Sequence, residues 1–252
     1  KDGSEEGALS PAELERLKRK PDGGRRAVIS YLSIGEAESY RGYWQESWKQ
    51  SPPAWVVGEN PDWNENYAVR FWDPEWQALM FGSPEAYLDR IIAQGFDGVY
   101  LDKCDVTDDL GTHYPQVARE RQSLERDMVD FVARLAAHAR SIRPGFVVIM
   151  QNAEPLLRFP DLRAVIDGVG KEELYFGLDG GEAQNDTEAV EEARRMLAAV
   201  RAEGKAVLVV EYLSDRNKQR QASTRAAGDG FTLFLAHKNR ELATLGSGPV
   251  VA

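Results

Sequence analysis

Cysteine is nearly absent. Cys104 is the single thiol in 252 residues, which excludes an intrachain disulfide and a cysteine-rich metal site and leaves the redox compartment open. Histidine is also scarce: His113, His138 and His237 are too scattered for a His-x-His or His-Glu-x-x-His site. Asp102, Asp105 and Asp108 do not match a calcium-binding loop, so no metal and no other cofactor is expected. Long apolar runs are missing, since none approaches the roughly 20 residues of a bilayer-spanning helix, and an integral membrane protein is therefore not expected. There is no glycine-rich phosphate fingerprint, internal repeat or low-complexity tract. Positive charge is in deficit, with 41 acids against 31 bases and a net charge of −10; that argues against nucleic acid as a partner and is compatible with a cationic substrate. The length suffices for one large core, and a single domain over residues 1–252 is expected. The chain begins at Lys1 without a visible signal peptide, which leaves room for a segment removed upstream.

Helix and strand signals alternate along the chain. Ser10, Pro11 and Glu13 make a Ser-x-x-Glu capping box with proline at the first helical position, predicting a helix to about Lys20. Ala27 to Ile34 is an apolar, β-branched run suited to a strand covered on both faces. From Ser39 to Asn66 no clean period is visible, and the stretch carries Trp44, Trp48, Trp55 and Trp63. Aromatics beside amides suit sugar rings, although most of these indoles are expected to pack the loop down. Val69 to Trp72 reads as a second strand ending at Asp73, and a helix started by Ser83 and Pro84 is closed by Gly95. The third strand, through Val99, Tyr100 and Leu101, stops at Asp102 with Asp105 just beyond, and an acidic loop follows. Leu124, Met128, Phe131, Leu135, Ala139 and Ile142 predict one long helix over about Pro115 to Ile142. Further strands are read at Phe146 to Met150, Ala164 to Ile166, Ala206 to Val210 and Phe231 to Leu235, with helices from Thr187 and from about Lys218.

This alternation predicts an α/β fold with a parallel sheet, and strand ends rich in Asp, Glu, Asn and Tyr favour a (β/α)8 TIM barrel. Seven strands are visible, one short of eight, so the first is expected to precede Lys1 or to be borrowed. The strand ends supply Glu36, Asp73, Asp102, Asp105, Asn152, Glu154, Glu172, Glu211 and Asp215. Carboxylates gathered at strand ends, without a nucleophilic serine or a Cys-His pair, point to glycoside hydrolysis.

Several segments in fixed order carry a resemblance. They are Tyr31-Leu32-Ser33-Ile34-Gly35-Glu36-Ala37-Glu38 with Tyr40, Arg41 and Trp44; Asn60-Pro61-Asp62-Trp63; Trp72-Asp73-Pro74-Glu75-Trp76; and Gly95-Phe96-Asp97-Gly98-Val99-Tyr100-Leu101-Asp102 with Asp105. The chain resembles glycoside hydrolase family 114, which contains endo-α-1,4-polygalactosaminidases and related extracellular barrel proteins. The resemblance implies a (β/α)8 barrel whose first strand lies just before Asp2, an extracellular or cell-surface location, a polysaccharide or oligosaccharide partner, and two catalytic acids. One falls on Asp102. The other falls on Glu172, with the adjacent Glu173 as the alternative; neighbours on an extended segment point opposite ways, so only one can face a cavity. With Asp102 as nucleophile and Glu172 as general acid and base, Glu36, Asp73, Asp105, Glu154 and Glu211 are expected along the cleft, where acids can meet the ammonium groups of a galactosamine polymer. Tyr31, Tyr40, Asn152 and Tyr212 are the expected sugar contacts. The competing readings are a carbohydrate-binding barrel without activity and a hydrolase of another polysaccharide.

Overall fold

The computed structural model describes residues 9–240 and residue 242. The chain forms two compact units, one running up to Ile149 together with Ala164–Ile166, the other made of Met150–Arg163 and the chain from Asp167 on.

In the first unit the helix Pro11–Lys18 starts at Ser10 with both capping-box bonds made. Lys18, although buried, donates to the Gly95 carbonyl at 2.5 Å and pairs with Asp97 at 2.9 Å, so its charge is compensated where it enters the fold. Strand β1 is Ile29–Ser33, β2 Glu36–Glu38, β3 Val56–Glu59, β4 Asn66–Val69 and β5 Gly98–Asp102. β1 and β5 run parallel with Ser33 opposite Asp102, and β2, β4 and β3 form a small antiparallel sheet in that order. Gly35 joins β1 to β2 because no side chain fits there: a Cβ would lie 2.1 Å from the Lys103 carbonyl oxygen. The helix Leu124–Ile142 buries Met128, Phe131, Leu135 and Ala139 as its spacing predicts, while Ile142 is exposed at its end.

Strand β6, Val147–Gln151, starts in this unit, where Val147 donates to the Asp97 carbonyl, and ends in the second. There β7, Gly168–Glu172, β8, Ala206–Tyr212, and β9, Thr232–Ala236, follow as parallel neighbours. The helices Thr187–Ala202 and Arg216–Asp229 connect them, capped by Asp186 and Asp215.

The structure corrects the sequence reading in several places. Val69 to Trp72 is not a barrel strand: β4 ends at Val69 and pairs antiparallel, and Arg70 to Asp73 is a turn closed by a 2.7 Å bond from the Asp73 amide to the Arg70 carbonyl. Val69 and Phe71 are fully buried, so the apolar signal came from core packing rather than from a ladder. Ala164 to Ile166 lies at the end of the helix Pro160–Val165, and the strand begins at Gly168. A short apolar run does not separate helix from strand. Glycine hides the true strand, and is needed in it because a Cβ on Gly168 would come within 2.8 Å of the Ala206 carbonyl oxygen. The single helix read over Pro115 to Ile142 is broken into Pro115–Ala118 and Leu124–Ile142, with Ser123 capping the second. The acidic loop before it is itself the helix Val106–His113, with Val106 and Leu110 buried. The helix after Ser83 starts only at Tyr87, and Asp186 rather than Thr187 is the cap of its helix. Among the described residues the parallel strands number six; the strand expected ahead of Asp2 lies outside the described residues.

Candidate active site

Three strand ends share a backbone feature. The residue after the end of β5, β6 and β7 is Lys103, Asn152 and Glu173, with φ of 58°, 51° and 53°. Left-handed backbone is uncommon for residues other than glycine and collects at functional sites. It turns the chain sharply away, leaving Asp102, Gln151 and Glu172 as the terminal side chains of their strands.

Asp102 is half-buried at the end of β5. Its Oδ2 accepts from the Tyr31 hydroxyl at 2.6 Å, and its Oδ1 from the Lys103 amide at 2.7 Å. Tyr31 and Ser33 lie on one face of β1, and Ser33 is opposite Asp102, so the phenol reaches the carboxylate along that face. Burial, together with the charges of Asp102 and Glu38, holds the Tyr31 hydroxyl far above its ordinary range, so it is a donor at neutral pH. Arg41 stacks over the Tyr31 ring at 5.4 Å and over the Tyr40 ring at 5.1 Å.

Around Asp102 the first unit assembles further charge. Glu38 is buried and bonded to Arg41 Nε at 2.6 Å, to Arg41 Nη2 at 3.0 Å and to the Tyr40 hydroxyl at 2.6 Å. Burial pushes its carboxyl up to about 7, the Tyr40 hydrogen bond opposes this, and the charges of Asp102 and Glu36 add to it. Glu36, also buried, accepts from Asn60 at 2.7 Å and pairs with Lys103 at 3.2 Å. Lys103 also binds Asp109 at 2.8 Å, so the Glu36 charge has a partner inside the protein. Asp105 is half-buried with one carboxylate oxygen enclosed and unbonded, and burial pushes its carboxyl up to about 6 against the pull of Lys103. Tyr40 keeps an exposed ring. Asp73, placed along the cleft by its strand-end reading, is instead a helix cap that accepts from the Glu75 amide at 2.8 Å.

In the second unit Glu172 is held in a similar way. Its Oε1 accepts from the Tyr212 hydroxyl and its Oε2 from Gln151 Nε2 at 2.5 Å, while its amide donates to Asn152 Oδ1 at 3.1 Å. Glu173 turns elsewhere: its carboxylate pairs with Arg240, and its amide donates to the Val210 carbonyl at 2.8 Å. Glu154 pairs with Lys171 at 2.8 Å.

Glu211, expected along the cleft, is 0% exposed and accepts from the Tyr175 amide at 2.8 Å with its other oxygen unbonded. A fully enclosed carboxyl meets no sugar. Burial pushes it up to about 7, with the Tyr175 and Phe176 amides pulling the other way. Between about 4.5 and 7 the unfolded chain has released a proton that the folded chain keeps. Stability from this group is therefore fully present below 4.5 and lost as pH rises to about 7. Glu211→Gln is expected to flatten the fall in unfolding free energy by up to about 3 kcal/mol between pH 5 and 8, read by denaturant titration at both pH values. An unchanged slope would show that Glu211 ionises normally.

The sequence reading passed over Glu38, Arg41, Lys103 and Gln151. Glu38 and Arg41 flank Tyr40 inside a segment already singled out, and Gln151 and Lys103 adjoin Asn152 and Asp102; position beside a strand-end acid was the available signal. Of the four indoles between Ser39 and Asn66, Trp44 stacks on Tyr67 at 4.8 Å, Trp48 meets Trp44 and Trp55 edge-on, and Trp63 alone of the four is strongly exposed. Among the described residues no group of three or more His, Cys, Asp or Glu side chains is placed to hold a metal ion, and no helix is long and apolar enough to cross a membrane.

The model of glycoside-hydrolase family GH114 matches residues 8–247. An uncharacterised protein of Deinococcus radiodurans is 41% identical over 217 residues, covering 85% of this chain and 65% of that protein. The uncharacterised protein MJ1477 of Methanocaldococcus jannaschii is 36% identical over 97% of this chain and 70% of its own length. The chain thus spans about two thirds of these relatives, and less than that of the Deinococcus protein. Among solved structures, the glycoside hydrolase domain of PelA from Pseudomonas aeruginosa superposes with a TM-score of 0.70 at 21% identity, over 96% of this chain and 88% of that one. Ega3 of Aspergillus fumigatus, solved in complex with galactosamine, gives 0.69 at 20% identity, over 95% of this chain and 83% of that one. These likenesses establish the fold as that of the α/β-barrel glycoside hydrolases.

Proposed function

The chain belongs to glycoside-hydrolase family GH114, and from that premise we propose that it cleaves α-1,4-linked galactosamine-containing polysaccharide with retention at the anomeric carbon, Asp102 acting as nucleophile and Glu172 as general acid and base. The observation that carries the reading is the way Asp102 is presented: at a strand end, with a tyrosine hydroxyl on one oxygen and a backbone amide on the other. Those donors fix the carboxylate plane and support its charge while a lone pair attacks the anomeric carbon. The Tyr31 proton stays on its own oxygen throughout.

Glu172 has surroundings suited to a group that changes protonation state. The Gln151 amide offers its NH2 to the carboxylate and, turned over, its carbonyl to the acid form, while the Tyr212 hydroxyl serves either form on the other oxygen. In the first step Glu172 gives its proton to the leaving glycosidic oxygen as the Asp102–sugar ester forms; in the second it takes a proton from the water that breaks the ester. The choice of galactosamine is supported by the complex recorded for Ega3 and by the net charge of −10, which favours a polycation.

The test is incubation with partly deacetylated oligo-α-1,4-galactosamine, with products followed by mass spectrometry and proton NMR. Shorter oligomers whose new reducing ends appear first as the α anomer are expected. A β anomer would mean inversion, and cleavage of other glycans only would move the substrate elsewhere.

A further inference from the structure

Between β3 and β4 the chain makes a short loop with Trp63 at its tip. The loop is held by its own bonds: Asp62 N to Asn60 Oδ1 at 2.9 Å, Glu65 N to Glu59 Oε1 at 2.9 Å, and Asn66 N to the Trp63 carbonyl at 3.2 Å. It is tied down at its base by Asn60 Nδ2 on Glu36 Oε1. Yet the indole it carries is 59% exposed. An ordered loop that presents its largest apolar side chain to water contributes little to the core, in contrast to the packed Trp44, Trp48 and Trp55.

Against that indole lies a small open pocket of about 90 Å³, lined also by Glu36, Asp62, Lys103, Asp109 and His113 among others. Its chemistry is mixed in a way that selects. An aromatic face favours a flat apolar surface such as the C–H face of a pyranose, and it attracts cations. Three carboxylates stand against the ammonium of Lys103, which is already engaged by Glu36 and Asp109. The lining is thus acidic whether His113 is neutral or charged, which disfavours an anionic sugar such as a uronic acid. Lys103 directly follows Asp102 in the chain, and the charges of Asp102 and of the lining Glu36 both act on the Glu38 carboxyl, which keeps the pocket near the proposed nucleophile within the first unit.

We infer that this pocket is a subsite for an amino-sugar ring flanking the one that reacts, with Trp63 as its stacking platform and the carboxylates of Asp62 and Asp109, backed by the buried charge of Glu36, selecting a ring that carries a protonated amine. The inference rests on the proposed action on a galactosamine polymer and adds the place and the groups by which deacetylated units are preferred over N-acetylated ones.

Calorimetric titration of fully deacetylated and fully N-acetylated galactosamine oligomers into the Asp102→Asn variant, with and without Trp63→Ala, reads binding separately from cleavage. Trp63→Ala lies at an exposed position, and circular dichroism verifies its fold. Removing the indole is expected to weaken binding of the deacetylated oligomer about tenfold. In the Asp102 background it is expected to raise KM with kcat nearly kept, and Asp62→Asn is expected to narrow the preference for deacetylated over N-acetylated oligomer. Unchanged affinity in Trp63→Ala, or no binding of the deacetylated oligomer by the parent variant, overturns the subsite. Trp63-dependent binding in a protein that cleaves neither oligomer would uphold the subsite and defeat the proposed hydrolysis, so the two can fail separately.

Discussion

Asp102→Asn is expected to reduce kcat/KM on a galactosamine oligomer by at least roughly 10³-fold, the scale seen when a nucleophile is lost. The substitution is nearly isosteric. Its carbonyl oxygen can accept from the Lys103 amide, and its amide can donate to the Tyr31 oxygen, so both existing contacts at Asp102 have a counterpart. What disappears is the negative charge that attacks the anomeric carbon. A folded Asp102→Asn variant with parental turnover would remove Asp102 from the mechanism. A glycine at the same position adds a second readout, because external azide can then occupy the vacated space. A retaining enzyme so rescued gives a glycosyl azide of inverted configuration, and that product identifies the missing group as the nucleophile.

The second large effect separates two adjacent acids. Glu172→Gln is expected to lower turnover of the oligomer about 10²- to 10⁴-fold, the usual worth of a positioned general acid. The loss should be much smaller for an aryl glycoside whose leaving phenol needs no proton. Glu173→Gln is expected to leave kcat within a few-fold and to act on stability instead, because its carboxylate is engaged by Arg240 while Gln151 and Tyr212 attend Glu172. The reverse pattern, with the leaving-group dependence following Glu173, would transfer the acid and base role to that residue.

Much of this architecture is legible from residues alone, because the signals are local. Ser10 and Glu13 form the capping box that their spacing announces, the stripe of the helix Leu124–Ile142 is buried from Met128 to Ala139, and Asp102 ends a parallel strand where the apolar run stops. The ordered segments from Tyr31 to Asp105 were enough to indicate the family whose model matches residues 8–247. These properties follow from backbone preference and from which positions share a face, both of which repeat within a few residues of sequence.

Tertiary structure alone decided what each strand-end acid does. Asp73 and Glu211 looked like Asp102 in the sequence, yet one caps a helix and the other is sealed against the Tyr175 amide. The strand at Gly168–Glu172 was displaced in the reading because glycine, chosen there for close approach to Ala206, has no strand signature. Glu38 and Arg41 form a buried bidentate pair between tyrosines that spacing did not single out. The sequence by itself determined the family, the alternation of helix and strand, and the strand end at Asp102. Only the folded chain determined which carboxylates are presented, capped, paired or enclosed, since that depends on donors and on excluded water supplied by segments far apart in sequence, such as Tyr31 for Asp102 and Tyr212 for Glu172.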